Sequence, residues 1–201
     1  MGDHESHSGL SRRTVVVDLD GVAAEYDGWR GIDVIGVPKR YARACLHWLR
    51  EHEWRIVIFT CRLETPTLKN WPKIHNVPCD HINDTSYNID NVSKLKPQAD
   101  IYLDDHSSLW DLIGGFDWPL AFFMLVHKYH PDEAEDAYNY LMQVADAYGG
   151  DERRHVNFSY LLMEALVSMS VVNGEIAMSS PAGLILVGME AVRTASKKGL
   201  T

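Results

Sequence analysis

The sequence predicts an α/β protein built on a Rossmann-like parallel sheet with flanking helices, followed by a C-terminal helical extension. Three observations predict it. Short, largely apolar and β-branched runs stand at Thr14 to Val17, Arg55 to Phe59 and Ile101 to Leu103, as expected of strands buried on both faces. A stretch of helical periodicity separates the first two, and strand–helix–strand order implies a parallel pair joined by a crossover. Each run then stops abruptly at polar residues, DLDG, T and DD, the place where open α/β sheets present ligand-binding groups.

The elements follow in order. Residues 1–13, MGDHESHSGLSRR, hold no apolar stretch that would make a secretory signal,. Gly2 and Ser6 fit the loose myristoylation pattern, but the segment with Asp3 reads as a disordered polar tail. From Pro38 to about Glu53, Tyr41, Cys45, Trp48 and Leu49 share one face at helical spacing, with Pro38 in the first turn. Leu63 to Ser93 is rich in Pro, Asn and Asp and reads as irregular. PLAFFMLV, Pro119 to Val126, reads as a fourth strand. After His130 the character changes. Ala134, Tyr138, Leu141, Ala145 and Tyr148 recur at spacings of four and three residues, an amphipathic helix that Gly149 and Gly150 end,. Further helices are predicted at Asp151 to Val172 and at Pro181 to about Lys197. The chain thus divides into a tail at 1–13, a core at 14–129 and a helical extension at 130–201. The apolar faces of that extension must be buried on the core or on another subunit, so a homodimer through these helices is one expectation.

With 201 residues, 46% hydrophobic and 23% charged, the chain can bury one good core and a modest appendage. A formal net charge of −9 and a pI near 5.5 argue against a general nucleic-acid coat, which needs clustered Lys and Arg. They leave room for a small anionic substrate at one cationic, metal-loaded pocket. Cys45, Cys61 and Cys79 are odd in number and scattered, which suits a reducing cytoplasm better than a disulfide framework. No run approaches the ~20 apolar residues of a membrane span.

The strand ends carry the chemistry. The first delivers Asp18 and Asp20, the second Thr60, the third Asp104 and Asp105, with Lys94 and Lys96 just ahead of it. Four carboxylates in one crevice repel one another unless a cation lies between them, and a hard divalent ion such as magnesium answers that need. A carboxylate can attack phosphorus and split one hard displacement into two easier ones. A second carboxyl two residues on can protonate the leaving alkoxide and then deprotonate water. A hydroxyl and an ammonium can hold the phosphoryl oxygens.

VVVDLDGV, then IVIFT, then a lysine ahead of ADIYLDD resembles the four ordered motifs of haloacid dehalogenase-type phosphatases, over roughly Thr14 to Phe123. The resemblance implies a magnesium-dependent phosphomonoester hydrolase. Asp18 is then the nucleophile, Asp20 the general acid and base, Thr60 and a lysine the phosphate holders, and Asp104 or Asp105 a metal ligand beside Asp18 and Asp20. KPQADIYLDD favours Lys96, while the longer spacing of deoxyribonucleotidase-like members would choose Lys94. Members that act as dehalogenases generally lack the second Asp, so Asp20 favours phosphoester chemistry. Neither gap between motifs holds a large cap, which implies an open site, with Arg62 and the Glu25 to Arg30 loop as local substrate contacts. His106 stands where small members carry a basic residue. A nucleotide or another small phosphomonoester is the implied substrate; alternatives are a polynucleotide 3′-phosphatase and a non-catalytic module that binds a phosphorylated ligand or a protein.

Plainer readings exist for each feature. Paired Asp at a strand end can simply cap a turn, and DLDG lacks the spacing and closing Glu of a calcium loop. His75, Cys79 and His81 match no zinc spacing and read as loop residues, as do His127 and His130. Cys61 reads as a packed neighbour of the site.

Overall fold

The computed structural model describes residues 12–84, 96–106 and 108–172. Residues 1–11 of the tail, Lys94 and the third C-terminal helix lie outside the described residues. The last two residues of the tail are tied down: Arg12 donates to the carbonyls of Glu53 and Trp54, both at 2.9 Å, and the Arg13 carbonyl accepts from the Arg55 amide at 2.8 Å.

Four parallel strands form the sheet: β1 (Thr14–Asp18), β2 (Arg55–Phe59), β3 (His81–Ile82) and β4 (Ile101–Leu103), in the order β3-β2-β1-β4. Val16 pairs with Val57 on one side and with Tyr102 on the other. Val15, Val17, Ile56 and Ile58 are wholly buried, and their branched side chains suit a strand covered by other elements. The two short strands are held by side chains as much as by ladder bonds. The Asp80 carboxylate accepts from the Ile56 amide at 2.7 Å, and the Asp100 carboxylate accepts from the Thr14 amide at 2.7 Å. The chain runs outward from β1 through β2 to β3 and then returns to the far side of β1. The connections therefore diverge at the carboxyl end of β1, where a crevice opens beside β4.

Helices α1 (Ala42–Glu51), α2 (Pro66–Ile74), α3 (Ser108–Ile113), α4 (Trp118–Tyr129), α5 (Ala134–Tyr148) and α6 (Glu152–Val172) flank this sheet. Helix α1 begins after Tyr41. Pro38, expected in its first turn, instead bridges Ala24 and closes a loop over residues 25–37. Helix α2 and strand β3 occupy the stretch expected to be irregular. Thr65 caps α2 by accepting from the Leu68 amide at 3.2 Å, and Pro66 stands at its start, where a missing N–H costs nothing,.

The stretch expected to be a fourth strand is helix α4. The Asp117 side chain caps it through the Leu120 amide at 2.7 Å, and Pro119 occupies its first turn. Trp118, Leu120, Ala121, Phe122, Phe123, Leu125 and Val126 are all buried. A helix enclosed on every side has an apolar run as continuous as that of a buried strand. What encloses it is the C-terminal pair. Ala137, Leu141, Ala145, Val156, Leu162, Met163 and Leu166 of α5 and α6 join the same buried cluster as the sheet. Of the two places expected for these apolar faces, the described part takes the core of its own chain. Tyr41 donates to the Glu152 carboxylate at 2.9 Å, and Tyr140 donates to the Ala44 carbonyl at 3.1 Å. Among the described residues no helix is long and apolar enough to cross a membrane.

Candidate active site

The polar residues at the strand ends converge. Asp18, Asp20, Thr60, Arg62, Lys96, Asp104, Asp105 and His106 line one cleft of about 420 Å³ at the carboxyl ends of β1, β2 and β4, with Tyr26, Trp29, Cys61 and Tyr102 also on its wall. Of the site residues expected from sequence, Lys94 alone lies outside the described residues.

The turn after β1 explains how carboxylates from two strands come together. Ala23 and Ala24 donate from their amides to the carbonyls of Asp18 and Leu19, at 3.1 and 2.7 Å, folding DLDG back on the strand end. Gly21 sits at φ +84°, in the left-handed region that favours glycine, and a Cβ there would overlap the Asp105 carboxylate,. Two side chains hold the carbonyls of the turn. Lys39 Nζ donates to Gly21 O at 2.9 Å and to Phe116 O at 3.2 Å. Trp118 Nε1 donates to Val22 O at 2.7 Å. The start of α4 therefore braces the loop that carries Asp18 and Asp20.

Electrostatics single out Asp18. Burial pushes its carboxyl up to about 6, a hydrogen bond from the Leu19 amide works against that rise, and the charges of Asp104, Asp105 and Asp20 add to it,. Asp104 Oδ1 accepts from the His106 amide at 2.9 Å, a local turn that points the pair outward from β4. Asp105 Oδ1 is buried and has no hydrogen-bond partner among the described residues; His106 Nε2, at 3.8 Å, is beyond hydrogen-bond reach. Asp104, Asp105 and His106 each present one ligand atom within 4.8 Å of the others. A buried, unpartnered carboxylate oxygen is costly unless a cation meets it. With the Asp104 carboxylate beside it, and Asp18 close enough to feel both charges, that oxygen suits a hard divalent ion such as magnesium.

On the second wall, Thr60 is buried at the end of β2. Its amide donates to Asn83 Oδ1 at 2.8 Å, and its hydroxyl accepts from the Arg62 amide at 3.2 Å. Asn83 had no signal in the sequence, because the strand before it is two residues long and has no readable period. Lys96 Nζ stands 4.0 Å from the centre of the Tyr102 ring, a cation–π contact that keeps the ammonium at the cleft wall. Cys61, expected to be packed, is exposed.

Arg62 is arranged differently from the substrate contact expected of it. Its side chain is only 3% exposed. Nε donates to Asp20 Oδ2 at 2.7 Å and Nη2 donates to Asp20 Oδ1 at 2.9 Å, a bidentate fork,. Nη1 donates to the carbonyls of Gly31 and Ile32 at 3.1 and 3.2 Å. Trp29, 61% exposed, lies over the guanidinium at 4.8 Å.

His130, His52 and Cys79 have structural partners. Trp54 Nε1 donates to His130 Nε2 at 2.9 Å, and His52 pairs with Glu133. Cys79 donates to the His81 carbonyl at 3.0 Å. Among the described residues His75, Cys79 and His81 form no metal cluster.

No protein-family model and no curated protein matches this chain. Among solved structures, it is similar to a conserved protein coded by a locus of Bacteroides thetaiotaomicron. The two are 23% identical, with a TM-score of 0.46, over 58% of this chain and 92% of that one.

Proposed function

We propose that this chain is a magnesium-dependent phosphomonoester hydrolase of the haloacid dehalogenase type, working through an aspartyl-phosphate on Asp18. The observation that carries the reading is the meeting of Asp18, Asp20, Thr60, Lys96, Asp104 and Asp105 in one cleft, with the Asp18 carboxyl raised to about 6 and a buried Asp105 oxygen unpartnered. A carboxylate of that basicity is still ionised at neutral pH and is a better nucleophile than an ordinary aspartate. Its oxygen attacks phosphorus, the bond to the leaving oxygen breaks, and the electron pair departs with that oxygen, which takes the proton that Asp20 carries into the step, leaving Asp20 as the carboxylate. Asp20 then removes a proton from water as the water attacks phosphorus and frees Asp18. The Thr60 hydroxyl and the Lys96 ammonium hold the phosphoryl oxygens while charge builds on them. Magnesium, held by Asp18, Asp104 or Asp105, would neutralise the crowded carboxylates and the phosphoryl charge.

The cleft is bordered by exposed Tyr26, Trp29 and Tyr102, which fits a small phosphomonoester such as a nucleoside monophosphate. Three free thiols fit a reducing, cytoplasmic setting. The test is phosphate release from a panel of phosphomonoesters, nucleotides included, with magnesium or with EDTA. Metal-dependent release by the wild type that vanishes in Asp18→Asn supports the reading. No release from any compound assigns the cleft to ligand binding instead.

A further inference from the structure

We propose that Arg62 is the positioning residue of Asp20, coupling the rim loop at residues 25–37 to the acid–base carboxylate; this rests on the phosphatase reading above. A guanidinium has five N–H donors, and four are committed: two to the Asp20 oxygens and two to the carbonyls of Gly31 and Ile32. A group so engaged, with a side chain 3% exposed, is poorly placed to take a phosphate oxygen. It is well placed to fix a carboxylate. The fork defines both the rotamer and the plane of Asp20, and each Asp20 oxygen keeps a second lone-pair site for proton transfer.

The rest of the surroundings hold Arg62 in turn. Its own amide donates to the Thr60 hydroxyl at 3.2 Å, tying it to the end of β2. Trp29 covers its plane from the solvent side. Trp71 Nε1 donates to Gly36 O at 2.7 Å, and a Cβ at Gly36 would overlap the Glu25 carbonyl. The loop that supplies two carbonyls to Arg62 is thus closed on itself and anchored to α2. A ligand that shifts Trp29 or the Gly31 and Ile32 carbonyls necessarily acts on Asp20 through one side chain. Lysine at position 62 could not replace it, because a single ammonium cannot form the planar fork.

The experiment separates positioning of the acid from phosphate binding and from general damage. kcat/KM is measured for 4-nitrophenyl phosphate, whose leaving group departs as a stable anion, and for an alkyl phosphate, glycerol 3-phosphate, whose alkoxide needs a proton. kcat/KM reports the first chemical step, so it is unaffected by any slowing of the later hydrolysis in which Asp20 acts as base. In Arg62→Ala and Arg62→Lys, kcat/KM for the alkyl phosphate is expected to fall about a hundredfold, the lower range for loss of a general acid, with only a few-fold loss on the nitrophenyl ester. In an Asp20→Asn background, Arg62→Ala should cost little more on the alkyl substrate, because the two residues act as a unit. Equal losses on both substrates, additive effects in the double variant, or full activity of Arg62→Lys would each overturn the inference alone. Absence of turnover by the wild type on these two esters and on the nucleotide panel would remove the phosphatase reading and this inference together. Thermal melts keep a folding failure of Arg62→Ala distinct, and Arg62→Lys then carries the comparison.

Discussion

Asp18→Asn should make the protein more stable at neutral pH when magnesium is removed by EDTA. The Asp18 carboxyl is raised from 3.8 to about 6, first by burial and then by the charges of Asp104, Asp105 and Asp20. A carboxyl whose folded pKa lies above its unfolded one binds protons more tightly in the folded state. Its ionisation therefore opposes folding, and this penalty grows as pH rises from about 4 to 6 and is complete above that,. At ~1.36 kcal/mol per pKa unit the rise corresponds to ~3 kcal/mol. Asp18 is only partly buried, and solvent screening reduces this to ~1–2 kcal/mol. Asparagine removes the charge and keeps an oxygen to accept from the Leu19 amide. In EDTA at pH 7.5, its Tm should exceed that of wild type by about 2–8 °C, given ~2–4 °C per kcal/mol for a chain of this size. The gap should close towards pH 4, where wild-type Asp18 is protonated. Differential scanning calorimetry across pH 4–8 reads it directly. An Asp18→Asn variant no more stable than wild type at pH 7.5, or a gap that does not change with pH, would refute the reasoning that crowded, desolvated carboxylates define this cleft.

Three further outcomes follow from the same geometry. Magnesium should raise the Tm of wild type in proportion to RT ln(1 + [Mg]/Kd) and raise that of Asp105→Asn much less, because Asp105 contributes the buried, unpartnered oxygen,; equal shifts in both would count against the metal assignment. Phe122→Ala, deep in the α4 core at 2% exposure, should cost ~3–5 kcal/mol in urea denaturation without changing the cleft. His155, raised above its usual range first by its hydrogen bond to Asp117 and further by the Asp117 and Glu152 charges, adds stability below its unfolded pKa that fades as pH rises through its folded one. His155→Gln should therefore be destabilising at pH 6 and clearly less so at pH 9, and a pH-independent loss would contradict that linkage.

Much of the sheet and most of the cleft were legible because both are written in local patterns. β1, β2 and β4 are apolar runs, and the residues that stop them are the ones that line the site. The amphipathic face of α5 was legible in part: Leu141 and Ala145 are buried as expected, but Tyr148 is exposed and the face turns toward Ala137 and Met142 instead. Helix α4 was not, since an all-round buried helix has no polar face to reveal its period; Asp117-Trp-Pro, a cap followed by an early proline, was the available start signal. The Thr65-Pro66 start of α2 was masked by Pro72 inside the helix, and β3 is two residues long, held by Asp80 and Asn83 through tertiary bonds. The placement of the Arg62 guanidinium lay beyond sequence reading altogether. Its place two residues after Thr60 suggested the site, but the return of its guanidinium onto Asp20, 42 residues earlier, is a consequence of parallel pairing between β1 and β2.

The measurement that tests the central claim most directly is acid-quench trapping of the protein after mixing with a phosphomonoester and magnesium, followed by peptide mass spectrometry. With 4-nitrophenyl phosphate, whose leaving group needs no proton, the account predicts one phosphoryl group on the peptide carrying Asp18, labile as an acyl phosphate should be, accumulating in Asp20→Asn and absent in Asp18→Asn. Steady phosphate release with no phosphoryl group on Asp18, or undiminished release by Asp18→Asn, would contradict it.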